Sequence, residues 1–110
     1  MEVSPVKRSE WSPLPVEGCI NVEGKVLLDE TRVGVAMLRF GPDGTIHEHA
    51  GDTDCFVVCL DGRGWVSLGD EEAELHAGEK TFWPAGITHR LWTTDSEMTT
   101  LMVHPLGFAP

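Results

Sequence analysis

Closely spaced turn signals constrain the fold of this chain more than any other feature. From Gly18 onward, turns rich in glycine and proline interrupt short apolar or β-branched runs about every ten residues, the spacing of strands in a β-sandwich or barrel. No stretch of helical length keeps an apolar stripe without a glycine or proline inside it. The predicted strands are 24–29, 33–40, 44–49, 54–60, 64–68, 72–76, 79–83, 87–93 and 98–104. The pattern therefore predicts an all-β fold.

The length sets the expected domain organisation. A chain of 110 residues with 41% hydrophobic residues can build one hydrophobic core but not two. Residues 1–17 contain three prolines among polar residues, which favours an extended segment. We expect an extended N-terminal arm, residues 1–17, followed by a single barrel domain, residues 18–110.

The charge balance narrows the choice of partners. With 8 Lys+Arg and 18 Asp+Glu, the formal charge of −10 repels phosphate backbones and anionic lipids. The apolar runs are far too short to span a bilayer, and the N-terminus lacks the pattern of a secretory signal. The three cysteines have no metal-clip spacing and fit buried free thiols in a reducing compartment. We expect a cytoplasmic protein with neither nucleic-acid nor membrane partners.

Two histidines, His47 and His49, are separated by one residue. Because side chains alternate along a strand, this spacing predicts that both imidazoles lie on the same face. Neutral imidazoles are suitable ligands for zinc, copper, iron or nickel. Surface strands also carry such pairs by chance, so the surrounding residues decide between the two interpretations.

These surroundings resemble the two sequence motifs of the cupin family. The first motif, G-x5-H-x-H-x(3,4)-E-x6-G, is matched at or near its fixed positions by Gly41, His47, His49, Asp54 and Gly62. The second motif, G-x5-P-x-G-x2-H-x3-N, is matched without a gap by Gly78, Pro84, Gly86 and His89, and Thr93 replaces its final Asn. The 15 residues between Gly62 and Gly78 are typical of small bacterial-type cupins. The resemblance covers residues 41–93.

The resemblance implies a small double-stranded β-helix barrel, or jelly roll, built from two antiparallel sheets. It also implies one divalent transition metal ion (Fe, Mn, Ni, Zn or Cu) inside the barrel, bound by three histidines and one carboxylate. Transferred to this chain, the ligands are His47, His49, Asp54 and His89.

The fourth ligand has alternatives. Counting forward from His49 gives Asp54, whereas counting back from Gly62 gives Cys55. We favour Asp54, because an oxygen ligand completes the usual site and a buried carboxylate without a partner is costly. A site of three histidines and water is the third possibility. Since residues 54–60 are apolar on both faces, we expect the outer face to be covered by the N-terminal arm or by a partner subunit, and we predict a homodimer.

The resemblance allows dioxygenases, decarboxylases, sugar isomerases and cyclases. An ion with four protein ligands in an octahedral site keeps positions open for a chelating substrate, or for substrate and dioxygen. We expect a metal-dependent oxygenase or isomerase acting on a small polar chelating metabolite. The alternative is a non-catalytic module that binds or senses a small ligand or metal, since the predicted interior holds no second carboxylate or lysine.

Overall fold

The computed structural model describes residues 1–6, 10–30 and 32–105. These residues form eight strands and no helix, which confirms the predicted all-β class. They therefore include no helix long and apolar enough to cross a membrane. The strands are β1 (Ser12–Pro13), β2 (Cys19–Asp29), β3 (Gly34–Ala50), β4 (Cys55–Leu68), β5 (Glu71–His76), β6 (Lys80–Trp83), β7 (Thr88–Trp92) and β8 (Met98–His104).

The two longest strands, β3 and β4, each combine two predicted strands. The turn expected at residues 41–44 is a bend within β3, where Asp43 has a φ of 55°. The turn expected at residues 61–64 is a bend within β4, where Gly62 has a φ of 74°. A single residue at positive φ redirects the backbone there without ending the strand, because Asp and Gly tolerate that conformation. Both turn predictions are therefore corrected to bends.

These bends divide the barrel into two antiparallel sheets. The first halves of β3 and β4 both pair with β8, while β2 and β6 extend this sheet on either side. The second halves of β3 and β4 both pair with β7, and β5 pairs with the second half of β4. Because β3 and β4 run through both sheets, the two sheets close into the predicted barrel.

The core fills the space between the sheets. Alternate residues of β8 point inward, so that Met98, Thr100 and Met102 are buried. From β4, Val57 and Cys59 are fully buried beside them. All three cysteines are free thiols, and two of them are buried, as the composition predicts.

The N-terminal arm lies against its own barrel. Strand β1 pairs with β2, and the Leu14 amide donates to the Val22 carbonyl at 3.2 Å. The Trp11 ring packs under both Lys25 and Arg39, at 4.6 and 4.4 Å from its centroid. Each cation–π contact contributes about 0.5–1 kcal/mol at an exposed position. Residues 11–14 of the arm therefore cover the β2 edge, and the domain boundary at residue 17 stays a prediction.

Candidate metal centre

A cavity of about 270 Å³ opens between the sheets. Three histidines line it: His49, His89 and His104. The thiols of Cys19 and Cys55 also reach it, and most of the remaining wall is apolar. Among the described residues, the lining contains no Asp, Glu, Lys or Arg, although the chain as a whole is strongly acidic.

A larger open groove of about 1140 Å³ follows the bends of β3 and β4. Several of its charged side chains already pair with other protein groups. Arg39 binds Glu23 at 2.7 Å, and the His76 ring lies 3.1 Å from Glu79. The smaller cavity is the better candidate site, because it brings three histidines together in a mostly apolar lining.

His49 and His89 face each other across neighbouring strands. They are directly opposite in the pairing of β3 with β7, and their ring centroids are 4.5 Å apart at an interplanar angle of 70°. The Nδ1–H of His49 donates to the carbonyl of His47 at 2.7 Å, which assigns the proton to Nδ1. This is a common arrangement for metal-binding histidines, because the other nitrogen, Nε2, then carries the lone pair.

The environment of His89 keeps its ring neutral. The side chain is 5% exposed and stacks on Trp83, with centroids 3.9 Å apart and planes 6° from parallel. Burial lowers the pKa of His89 to about 4, and the neighbouring His49 adds to this effect, while the Ile87 backbone opposes it. Nδ1 of His89 is buried, and no described residue forms a hydrogen bond with it in acceptable geometry. A neutral imidazole is the form that binds a metal.

Gly51 leaves space in front of the His89 ring. A Cβ at this position would lie 3.3 Å from Cε1 and 4.0 Å from Nε2 of His89. Any longer side chain would extend over that edge of the imidazole. The glycine therefore keeps the Nε2 edge accessible from the cavity.

His104 is a third cavity histidine that the sequence interpretation left unassigned. It ends β8, on the same inward face as Met102, and its Nδ1 shares a hydrogen bond of 3.2 Å with the Thr53 hydroxyl. Burial lowers the pKa of His104 as well. Alternation along β8 places Met98, Thr100, Met102 and His104 on one face, but the opposite face is equally apolar, so the sequence did not show which side faces inward.

His47 lies outside the cavity lining. The pairing of β3 with β7 is irregular between Ile46 and His49. Three steps along β3 correspond there to two steps along β7, so β3 contains one extra residue, as in a β-bulge. As a result, Ile46 and His49 both line the cavity and His47 is exposed beside Gly18. The expectation that His47 and His49 share a face assumed an uninterrupted strand, and His47 as a metal ligand stays a prediction.

Asp54 also lies outside the lining, and its neighbour Cys55 faces inward. The Asp54 carboxylate is exposed and accepts a hydrogen bond of 2.8 Å from the Ala85 amide. The Cys55 side chain is buried and lines the cavity. Burial raises the pKa of this thiol to about 11, so it is protonated at neutral pH and would have to lose its proton to bind a metal.

Comparison with known proteins identifies the family. The family model Cupin_2, a cupin domain, matches residues 35–104, which is more than half of the chain. The chain belongs to the cupin family. No curated protein sequence matches it significantly.

Solved structures with the same cupin fold include several bacterial proteins. The polyketide cyclase RemF from Streptomyces resistomycificus superposes with a TM-score of 0.86 at 21% identity, covering 99% of this chain and 83% of RemF. Rru_A2000, a cupin-2 domain from Rhodospirillum rubrum, has a TM-score of 0.82 at 16% identity, with coverages of 92% and 72%. KdgF from Halomonas has a TM-score of 0.75 at 15% identity, with 87% of each chain covered. At these identities the likeness establishes the fold alone.

The cavity of this cupin brings the imidazole rings of His49 and His89 next to each other. Within residues 1–6, 10–30 and 32–105, no group of three or more His, Cys, Asp or Glu side chains is arranged to hold an ion. His49 has its Nδ1 engaged by the backbone, and Gly51 leaves the Nε2 edge of His89 open. A further donor would have to come from a side chain farther away, and the four-residue ligand set stays a prediction.

Proposed function

We propose that this cupin binds one divalent transition metal ion at His49 and His89 and acts, as an oxygenase or isomerase, on a small chelating metabolite bound beside it. The observation that carries the proposal is the facing pair of imidazoles at an apolar cavity of about 270 Å³. That volume is slightly below the usual range for ligand pockets and suits a small metabolite. His104, which lines the same cavity, is the best placed third nitrogen donor.

The side chains of the cavity would prepare the site for chemistry. Trp83 fixes the plane of the His89 ring by stacking, and the apolar wall excludes water from the reacting groups. A bound ion would polarise a chelating enol or hydroxy-carbonyl group, or activate dioxygen beside it. Imidazole donors suit iron, nickel, copper and zinc, and manganese remains in the predicted set.

The charge of the cavity favours an anionic ligand. Its described lining contains no carboxylate, and burial holds His89 and His104 in their neutral forms. The positive charge of an ion would therefore be largely uncompensated by the protein. A chelating ligand that carries a negative charge, such as an enolate or a hydroxy acid, would supply the compensation.

Elemental analysis of the natively purified protein tests the metal site. We expect about one transition metal ion per chain in the wild type, and little in a His49→Ala/His89→Ala double variant. His76→Ala is a matched control, because His76 is exposed and pairs with Glu74 and Glu79 outside the cavity. Equal metal content in the wild type and the double variant would contradict the proposal.

A binding or sensing module without turnover is the second candidate. It is favoured by the lack of a carboxylate or lysine in the described lining, which leaves histidines as the main acid–base groups. Oxygen consumption and isomer formation by the metal-loaded protein, measured over a panel of chelating diols, diketones and hydroxy acids, distinguish the two. Tight binding of one compound without turnover of any would favour the module.

The predicted homodimer is part of the proposal. Phe56 and Phe82 form an outward-facing pair with centroids 4.8 Å apart, and each is 39% exposed. Leu60, farther along β4, is 46% exposed. Because the described arm residues 11–14 lie on β2, a second copy of the chain is the proposed cover for this face. A monomeric mass in sedimentation equilibrium would contradict the dimer, and the cytoplasmic location stays a prediction from composition.

A further inference from the structure

The loop before β4 is joined to the turn before β7 by two hydrogen bonds. The Ala85 amide donates to Oδ1 of Asp54 at 2.8 Å, and the Gly86 amide donates to the Gly51 carbonyl at 2.9 Å. The two segments are 31 residues apart in the chain at Asp54 and Ala85, so the contact depends on the fold. The donors are successive amides of the same turn.

This turn sets the position of His89. It connects Trp83, the last residue of β6, to β7, in which His89 is the second residue. Gly86 has a φ of 82°, which directs the chain from one strand into the other. The turn lies between Trp83 and His89, whose rings stack on each other, so the two ends of this short segment are in contact. A shift of the turn would therefore move the His89 ring.

The same loop contacts His89 from a second direction. Gly51, whose carbonyl accepts from Gly86, faces Cε1 and Nε2 of His89. Among the described residues, Asp54 is the charged group of this loop that accepts a hydrogen bond from the turn. Hydrogen bonds from an amide to a carboxylate are stronger than those between neutral groups.

We propose that Asp54 is a positioning residue for His89, and that its carboxylate binds the Ala85 amide in place of a metal ion. The carboxylate holds the turn against the loop, and the turn holds the imidazole at the cavity. The effect of Asp54 on metal binding rests on the proposed function, whereas its effect on the turn does not.

Substitutions at Asp54 distinguish positioning from direct ligation. Asp54→Asn keeps a carbonyl oxygen that can accept from Ala85 but removes the negative charge that makes a carboxylate a strong ligand for transition metals. Asp54→Ala removes both. Asp52→Asn is the matched control, because Asp52 is an exposed acid of the same loop.

In zinc titrations, we expect Asp54→Ala to weaken binding about 10- to 100-fold, the usual loss when a group that orients a ligand is removed. Asp54→Asn should recover most of that loss, and Asp52→Asn should match the wild type. An Asp54→Asn variant as weak as Asp54→Ala would show that the charge itself is needed and would overturn the proposal. An unchanged affinity in Asp54→Ala would overturn it as well.

Amide hydrogen exchange of the metal-free protein gives a second readout. Asp54→Ala should accelerate exchange at Ala85 about tenfold or more, the equivalent of one lost hydrogen bond, and Asp54→Asn should do so less. Far-UV circular dichroism identifies any variant that fails to fold, and Asp54→Asn then carries the test. Unchanged exchange at Ala85 would overturn the proposal even if zinc binds. If the wild type takes up no metal, the proposed function fails and the exchange data still decide the role of Asp54.

Discussion

The two strands that bring histidines to the cavity do so in different ways. Along β7 the side chains alternate regularly, so His89 and Leu91 are buried while Arg90 and Trp92 lie on the outer face. Along β3 the pairing is interrupted after Ile46, and the next inward residue is His49, three positions later. His89 is thus held by regular pairing, and His49 follows a local irregularity.

The environments of the two rings differ as well, since His89 is buried and His49 is exposed. His89 is buried and stacked on Trp83, and burial favours its neutral form by lowering its pKa. His49 is exposed and oriented mainly by one hydrogen bond to the backbone of His47. Of the two proposed ligands, His89 is therefore part of the core, whereas the position of His49 depends on a few local contacts. Substitutions on the β7 side should therefore affect stability, and those on the β3 side mainly ligand binding.

The largest effect should come from removing the ring that stacks on His89. Trp83 is 2% exposed, and truncation of a buried tryptophan usually costs about 3–5 kcal/mol. We expect Trp83→Ala to lower the free energy of unfolding by that amount, as measured by denaturant titration. His49→Ala, on the β3 side, should change it by less than about 1 kcal/mol. Equal losses of unfolding free energy in Trp83→Ala and His49→Ala would contradict the proposed difference between the surroundings of His89 and those of His49.

The pH dependence of stability should reveal the buried His89. Its pKa is lowered to about 4 in the folded protein, from an unfolded value of 6.5. Between these two values the unfolded chain binds a proton that the folded chain excludes, so the free energy of unfolding falls as the pH is lowered. The contribution is complete above pH 6.5 and amounts to on the order of 3 kcal/mol.

Denaturation of the metal-free protein from pH 7 to 4 measures this dependence. His89→Gln should flatten most of the profile, and part of the remaining slope should come from His104, whose pKa burial also lowers. The prediction fails if the wild type keeps its full stability down to pH 4.

A smaller effect is expected where the two strands are tied together. The Thr93 hydroxyl, just after β7, donates to the Gly41 carbonyl at 2.6 Å and accepts from the Gly44 amide at 2.9 Å. Replacing it by Val leaves the buried Gly44 amide and the part-buried Gly41 carbonyl without this partner, at a cost of about 1–3 kcal/mol. Thermal unfolding of Thr93→Val against Thr93→Ser, which keeps the hydroxyl, checks this. A Val variant as stable as the wild type would show that the bend of β3 does not depend on β7.

The smallest effect should be at Gly86, in the turn before β7. Its φ is 82°, and a Cβ there would have nothing within 4 Å, so Gly86→Ala meets only the conformational cost. That cost is about 1–2 kcal/mol. A much larger loss in chemical denaturation would mean that the turn is held more tightly than its contacts indicate.

Much of the β7 side could be predicted from the sequence, because its information is local. Gly78 and Gly86 adopt the positive φ values that their turn positions require, and His89 then lies close to the turn, as its spacing predicts. The all-β class was predicted for the same reason, since turn residues mark strand ends and corners directly, whereas the barrel was implied by the resemblance to cupins.

The β3 side could not be predicted in the same way, because its geometry depends on pairing between distant residues. Nothing in the residues between Ile46 and His49 signals the irregularity, which exists only relative to β7. The direction of the Asp54 side chain follows from the Ala85 amide, 31 residues away. His104 was missed as a cavity residue because both faces of β8 are apolar.

One measurement tests the central claim that the metal centre is formed around the facing pair and not around the H-x-H motif. It is a zinc competition titration of the wild type beside single alanine variants of His47, His49, His89 and His104. The account predicts that His49→Ala and His89→Ala weaken binding more than about 100-fold, that His104→Ala weakens it about tenfold or more, and that His47→Ala stays within about threefold of the wild type. A His47→Ala variant as weak as His89→Ala, with His104→Ala unchanged, would contradict it.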